Sequence, residues 1–322
     1  MRAIRQYEFG PPAVLRYGRV LDPTPGSGQV RIAVEVAGVH FVDTMIRRGA
    51  DNGPIARPRL PMTPGREVAG VVDEVGPGVD EAWLGRRVVA HLGLASGGYA
   101  ELAAADAGRL HVVPADLSAA AAVAMIGTGR TAVGILDAAE LTAADVLVVS
   151  AAAGGLGSLF LQEGRAVGAT VVALAGGPDK VALAGSLGAD IAIDYLQPGW
   201  PKLVQDAVGG AVTVVLDGVG GDVGRAAFEL LGPGGRLLRF GWSSGRAADI
   251  DADEMERRGV TAVAALGDTF ARDIRTLEQR ALDQAAGGAW RPLVQEFPLG
   301  AAPDAHHAIE TRATTGKVVL IP

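Results

Sequence analysis

The chain has 322 residues, 49% of them apolar and 20% charged, with 46 Gly, 18 Pro, no Cys and a formal net charge of -7. At about 100 to 200 residues per domain the length suggests two domains. The missing thiols exclude disulfides, thiolate nucleophiles, iron–sulfur clusters and Cys-ligated zinc. The net acidity argues against nucleic acid or an anionic membrane as a partner, since both select clustered Lys and Arg. The start, MRAIRQYEFGPP, lacks the apolar run of about 7 to 15 residues that a secretory signal needs, and no segment reaches about 18 consecutive apolar residues. A cytoplasmic protein without a membrane span is expected.

Residues 1 to 120 are strand-like and heavily punctuated. The runs 30–39, 68–76, 86–93 and 98–105 alternate apolar and polar residues between Gly and Pro turns, as in an irregular antiparallel sheet or partial barrel with few helices. From Ser118, a plausible N-cap, the Ala- and Leu-rich text favours helix. Six short apolar strands follow, at 146–150, 170–175, 190–194, 213–217, 235–241 and 260–266, separated by helical stretches. That alternation predicts βαβ units and a parallel, doubly wound sheet. The tail holds one helix near 268–286 and two strands ending in KVVLIP. It is too short for a core of its own and is expected to fold back onto the first domain.

Directly after the first strand of the second domain stands Ala152-Ala153-Gly154-Gly155-Leu156-Gly157, opening a helix. Its form is A-x-G-x-x-G, with Ala152 where a dinucleotide fingerprint has its first Gly. Gly154 lets the backbone approach a pyrophosphate, Gly157 lets helix and strand pack closely, and the helix N-terminus offers free N–H groups. The second strand ends LAGGP, around Gly176, with no carboxylate to hold a ribose 2′-OH. Lys180 and Tyr195 are candidates for a 2′-phosphate instead, which points to NADP. The blander reading makes Lys180 a solvated residue of a first helical turn and Tyr195 an edge aromatic.

Virtually the whole chain resembles the medium-chain dehydrogenase/reductase superfamily, and within it the zinc-independent NADPH:quinone oxidoreductase branch to which zeta-crystallin belongs. The resembling stretches are GVHFVDTMIRRG, TPGREVAGVVDEVG, GGYAEL, the AAAGGLG loop, SLGADIAIDY, DGVGG, GPGGRLLRFG and GKVVLIP. The resemblance implies a mostly β, partly barrel-like (GroES-like) catalytic domain, residues 1–120 plus 267–322. A Rossmann NADPH-binding domain, residues 121–266, would be inserted in it, with the active site in the cleft between them. It implies nucleotide contacts from Thr128, Thr131, Ala153, Gly154, Gly155, Leu156, Gly157, Gly176, Lys180, Tyr195, Val219, Gly220, Phe240, Gly241 and Lys317. It also implies a homodimer, and the apolar strand 260–266 would otherwise leave an open sheet edge.

The departures bear on chemistry. Zinc alcohol dehydrogenases of the superfamily have Cys where His40 stands and His where Arg66 stands, together with a four-Cys structural lobe that this chain lacks. No metal site is expected. The quinone reductase pattern has Asn at His40, Tyr at Met45 and another Tyr near Asp51. His40 and Asp43 are the catalytic candidates: His40 as a substrate-contacting donor or a support of its loop, Asp43 as a group holding the His40 tautomer or a loop cap. Met45, Arg66 and Trp242 are candidates for the substrate pocket. Glu67 is expected to pair with an Arg, and His306 with His307 to lie on a solvated helix face. The expected activity is NADPH-dependent hydride transfer to a quinone or an α,β-unsaturated carbonyl compound. Two alternatives remain: an NADPH-binding sensor or structural protein with little turnover and, more weakly, a zinc alcohol dehydrogenase using His40, Glu67 and Asp43.

Overall fold

The computed structural model describes residues 1–50, 57–93, 96–263 and 273–322. Two compact units emerge, one of Met1–Thr128 with Ala281–Pro322 and the other of Gly129–Arg280. These boundaries differ from the expected ones by several residues, because helices run through both crossings: Ala119–Ala139 at the first and Ile274–Ala286 at the second.

In the first unit, strands β1 (Arg2–Gln6) and β2 (Leu15–Arg19) form an antiparallel pair. The main sheet is built on β3 (Gln29–Val39), which pairs with β4 (Glu67–Val75). β5 (Arg87–His91) continues the sheet to β7 (Leu110–Val112), while β6 (Leu102–Asp106) pairs back onto β3. On its other side β3 takes β15 (Lys317–Ile321), which carries β14 (Val294–Pro298). The tail therefore joins the first unit's sheet. Alternation along β3 turns Val30, Ile32 and Val34 into a core with Ile4, Val68, Val72, Val88, Leu110 and Leu320.

Helix α1 (Phe41–Arg48) occupies the stretch read as a loop after a strand. His40 is its N-cap, Asp43 accepts the His40 backbone N–H at 2.8 Å, and Gly49 ends it at a left-handed φ of 72°. The run Ala119–Ala139 comprises α2 (Ala119–Ala124), a wider π turn over Met125–Gly129 and α3 (Arg130–Ala139). It is long and apolar enough to cross a membrane, but most of it is buried inside the protein, as a core helix is.

The second unit has the expected six strands: β8 (Val146–Val149), β9 (Thr170–Ala175), β10 (Ile191–Asp194), β11 (Val212–Asp217), β12 (Leu231–Arg239) and β13 (Thr261–Val263). They are all parallel, in the order β10-β9-β8-β11-β12-β13. Chain order reverses direction at β8, the switch point at which open α/β sheets bind ligands. The crossovers are α4 (Gly155–Val167), α5 (Pro178–Ser186), α6 (Trp200–Val208), α7 (Gly221–Glu229) and α8 (Ala252–Arg258). Helix α9 (Ile274–Ala286) is tied to α3 by ion pairs Arg130–Glu278 at 2.6 Å and Arg280–Asp137 at 2.6 Å. Residues 264–266 of the expected last strand lie outside the described residues, as do residues 268–272 of the expected tail helix. A second tail helix, α10 (Ala302–Glu310), which carries His306 and His307, precedes β15.

Candidate active site

The nucleotide loop follows from local sequence. β8 ends at Val149, and α4 starts after Gly154, which caps it with extended backbone and no side chain. The first N–H groups of a helix have no intrahelical partner. With no capping hydroxyl or carboxylate competing for them, they are open to an anion, which the helix dipole also favours. Gly157 is required sterically, because a Cβ there would lie 2.4 Å from Ala151 O and 2.7 Å from Ala152 Cα. Ala152 and Ala153 are buried beneath the turn, whereas Gly154, Gly155 and Leu156 are partly exposed. The loop thus fits the diphosphate of a dinucleotide.

Two polar residues that sequence reasoning missed hold the neighbouring loop. Buried Asp217, at the end of β11, accepts from Ser150 Oγ at 2.7 Å, Val219 N at 2.9 Å and Gly220 N at 3.1 Å. Ser150 Oγ in turn accepts from Gly218 N at 2.9 Å. The DGVGG motif carried the signal, since an Asp followed by glycines commonly folds its carboxylate onto the next backbone N–H groups. Phe240 stacks edge-on against Phe160, with centroids 5.3 Å apart, and a Cβ on Gly218 would strike its ring. Gly241 lies beside the Gly218 backbone. Trp242 is exposed and packs against Gly220, whose φ of 67° suits glycine.

At the ends of β9 and β10, a Cβ on Gly176 would lie 3.1 Å from the Tyr195 hydroxyl oxygen. Lys180 stands in the first turn of α5. Asp194 is the nearby carboxylate, but its Oδ1 accepts from Gly177 N at 3.0 Å and Leu196 N at 2.9 Å. Those backbone donors lower its pKa, so it serves the loop. Thr128 is buried in the π turn and Thr131 is partly exposed in α3.

In the first unit the catalytic candidates gather around a different centre from the one expected. Glu67, at the start of β4, is fully buried and pairs with Lys317 rather than an Arg: Nζ donates to Oε2 at 2.7 Å. His40 Nε2 lies 2.8 Å from the same Nζ and 2.6 Å from Glu67 Oε1, so the carboxylate is held by both groups. Lys317, foreseen at the nucleotide, has its ammonium committed to this cluster. Burial pushes the Glu67 carboxyl up, but His40 and Lys317 outweigh it and hold it well below the usual range. Burial depresses Lys317, with Glu67 opposing.

Glycine shapes this centre. A Cβ on Gly127 would sit 1.5 Å from Glu67 Oε1, and one on Gly38 2.3 Å from Oε2. Nothing in the spacing of Gly38, Glu67, Gly127 and Lys317 reveals this, because they meet only through the fold.

The Asp43 carboxylate does not hold the His40 ring, although its backbone N–H faces the His40 side chain in the capping box. It caps α1 on the His40 backbone, with Oδ1 3.4 Å from Arg66 Nε and Oδ2 3.3 Å from the buried Tyr99 hydroxyl. Met45 is partly buried on α1. The Asp51 position lies outside the described residues. His307 is exposed as foreseen, but His306 is completely buried, with Nε2 3.1 Å from Tyr99 Oη. Helix period explains the difference, since adjacent residues point about 100° apart.

A zinc set of His40, Glu67 and Asp43 does not assemble, because the Lys317 ammonium lies against both Glu67 Oε2 and His40 Nε2, where a second cation would be repelled, and Asp43 is engaged elsewhere. Among the described residues no group of three His, Cys, Asp or Glu side chains is placed to hold a metal.

Comparison with known proteins agrees with this architecture. Residues 26–115 match the alcohol dehydrogenase GroES-like domain and residues 187–320 the zinc-binding dehydrogenase family. The chain is 30% identical to quinone oxidoreductase 1 of Escherichia coli over 99% of both chains. It is 32% identical to a 2-haloacrylate reductase from Burkholderia, over 98% of this chain and 97% of that one. The crystal structure of an Escherichia coli quinone oxidoreductase complexed with NADPH superposes with a TM-score of 0.88, at 29% identity and complete coverage of both chains.

Proposed function

This chain belongs to the medium-chain dehydrogenase/reductase superfamily, among its quinone oxidoreductases, and from that premise we propose that it reduces quinones or α,β-unsaturated carbonyl compounds without zinc. It is an NADPH-dependent oxidoreductase. When bound, NADPH supplies the hydride, and the observation that carries the reading is the uncapped N-terminus of α4 behind its glycine turn. Ala153 to Gly157 would hold the diphosphate, Asp217 keeps Val219 and Gly220 in place, and Lys180 with Tyr195 suits a 2′-phosphate.

The acceptor develops negative charge on a carbonyl oxygen as hydride arrives, and His40 is the donor proposed to stabilise it. Its ring is partly exposed, while the groups behind it are sealed. Arg66, 3.4 Å from Asp43, is the cation proposed to favour an electron-poor, flat acceptor. Lys317 in place of a metal is what supports zinc independence. The test is NADPH consumption with a panel of quinones, enones and 2-haloacrylate, with and without a zinc chelator. Turnover that persists with chelator and prefers NADPH supports the proposal. Absence of turnover with every acceptor would favour a binding or sensor role.

A further inference from the structure

Resting on the assignment of Gly176, Lys180 and Tyr195 to the 2′-phosphate, we propose that Asp194 is a positioning residue for NADPH specificity, one carboxylate oxygen tying together the two loops that carry those groups. Asp194 closes β10, opposite Ala175 at the end of β9. Parallel pairing delivers both chains to the same edge of the sheet, but the ladder stops there and does not fix the turns beyond it. Asp194 Oδ1 supplies the missing link. It accepts from Gly177 N at 3.0 Å, in the turn after β9, and from Leu196 N at 2.9 Å, in the turn after β10. Gln197 Nε2 lies 3.4 Å from the other oxygen.

Each tie acts on the chain neighbour of a group assigned to the phosphate. Gly177 follows Gly176 and is the N-cap of α5, and its left-handed φ of 88°, with Pro178 fixed behind it, sets the direction in which the turn bearing Lys180 leaves the sheet. Leu196 follows Tyr195, whose hydroxyl oxygen would lie 3.1 Å from a Cβ on Gly176. Tyr195 N also donates to Ala175 O at 3.0 Å. The phenol, the Gly176 backbone and the first turn of α5 therefore share one geometry, and a single oxygen holds it. Hydrogen bonds to an ionised acceptor are about twice as strong as neutral ones, which suits a tie between two turns. The same backbone donors keep the carboxyl ionised at neutral pH, so the tie does not titrate there. A carboxylate that held a ribose 2′-OH would favour NADH, but Oδ1 already serves two N–H groups.

The experiment titrates NADPH and NADH by fluorescence with no acceptor present, alongside thermal unfolding. Asp194→Ala removes both ties and should weaken NADPH about 10-fold while NADH stays within about 3-fold. Asp194→Asn keeps an oxygen able to accept both N–H groups and loses the charge, so NADPH should return to within about 3-fold of wild type. Asp194→Glu keeps the charge but displaces the oxygen by one methylene. It should behave like Asp194→Ala, and it carries the test if the alanine variant does not fold. Equal weakening of both cofactors, or an unchanged NADPH preference beside a lower Tm, is what a merely structural loop residue would give and overturns the proposal. Tighter NADPH with weaker NADH in Asp194→Asn also overturns it and makes Asp194 a ribose ligand. A selective loss of NADPH in Lys180→Ala but not in Asp194→Ala leaves the phosphate assignment standing and removes the tie. A wild type that binds both cofactors equally defeats the assignment itself. None of these outcomes depends on whether quinones are turned over.

Discussion

His306 is a buried imidazole whose protonation the fold resists, and this sets a measurable pH dependence. It sits on α10 with its ring edge-on to Tyr99, centroids 5.8 Å apart. Its Nε2 hydrogen-bonds the Tyr99 hydroxyl, which in turn reaches Asp43, while Nδ1 has no partner. Burial lowers its pKa from 6.5 to about 4, with Asp43 opposing and Arg47 adding to the shift. The unfolded chain therefore binds a proton near pH 6.5 that the folded chain refuses until about pH 4. Stability conferred by the neutral ring is complete above pH 6.5 and falls as pH drops toward 4. A shift of about 2.5 units corresponds to roughly 3 kcal/mol in all, of which about 2 kcal/mol is lost between pH 7.5 and pH 5. His306→Gln keeps a polar partner for Tyr99 but cannot titrate. Urea unfolding of both proteins at pH 7.5, 6 and 5 should show wild type losing about 2 kcal/mol more than the variant over that range. Equal losses would refute the assignment of a buried, neutral His306.

Lys180→Ala should weaken NADPH by about 1.5 to 3 kcal/mol and NADH far less, measured by fluorescence titration, because only NADPH carries the 2′-phosphate. Equal weakening would remove Lys180 from that role. His40→Ala should lower kcat by about 10²-fold with NADPH affinity nearly unchanged, whereas a residue that merely supports α1 would show a lower Tm and near-normal turnover. Gly127→Ala, in an ordinary helix, would gain about 1 kcal/mol. Here the Cβ would sit 1.5 Å from Glu67 Oε1, so thermal unfolding should show a loss of about 3 kcal/mol or more. Strand β13 is the outermost strand of its sheet among the described residues, and light scattering at micromolar concentration should find a dimer.

Local sequence determined the elements whose cause is local. The six parallel strands are legible because apolar runs such as 146–150 and 213–217 must be buried on both faces. The nucleotide turn is legible because Gly157 answers to atoms only a few residues away. The tail's return to the first unit followed from its being too short for its own core, and the β15–β3 ladder realises it. Helix α1 escaped a reading based on apolar periodicity, although its His40–Asp43 capping pair and Gly49 are local signals. The buried Glu67–Lys317–His40 centre was not legible at all. His40 and Lys317 are separated by 277 residues and Glu67 and Lys317 by 250, and only antiparallel pairing of β15 with β3, and of β3 with β4, brings them together. A carboxylate in a sequence does not announce which cation it will meet. Burial makes the choice, because a charge removed from water must find its counter-charge in whatever the tertiary fold delivers.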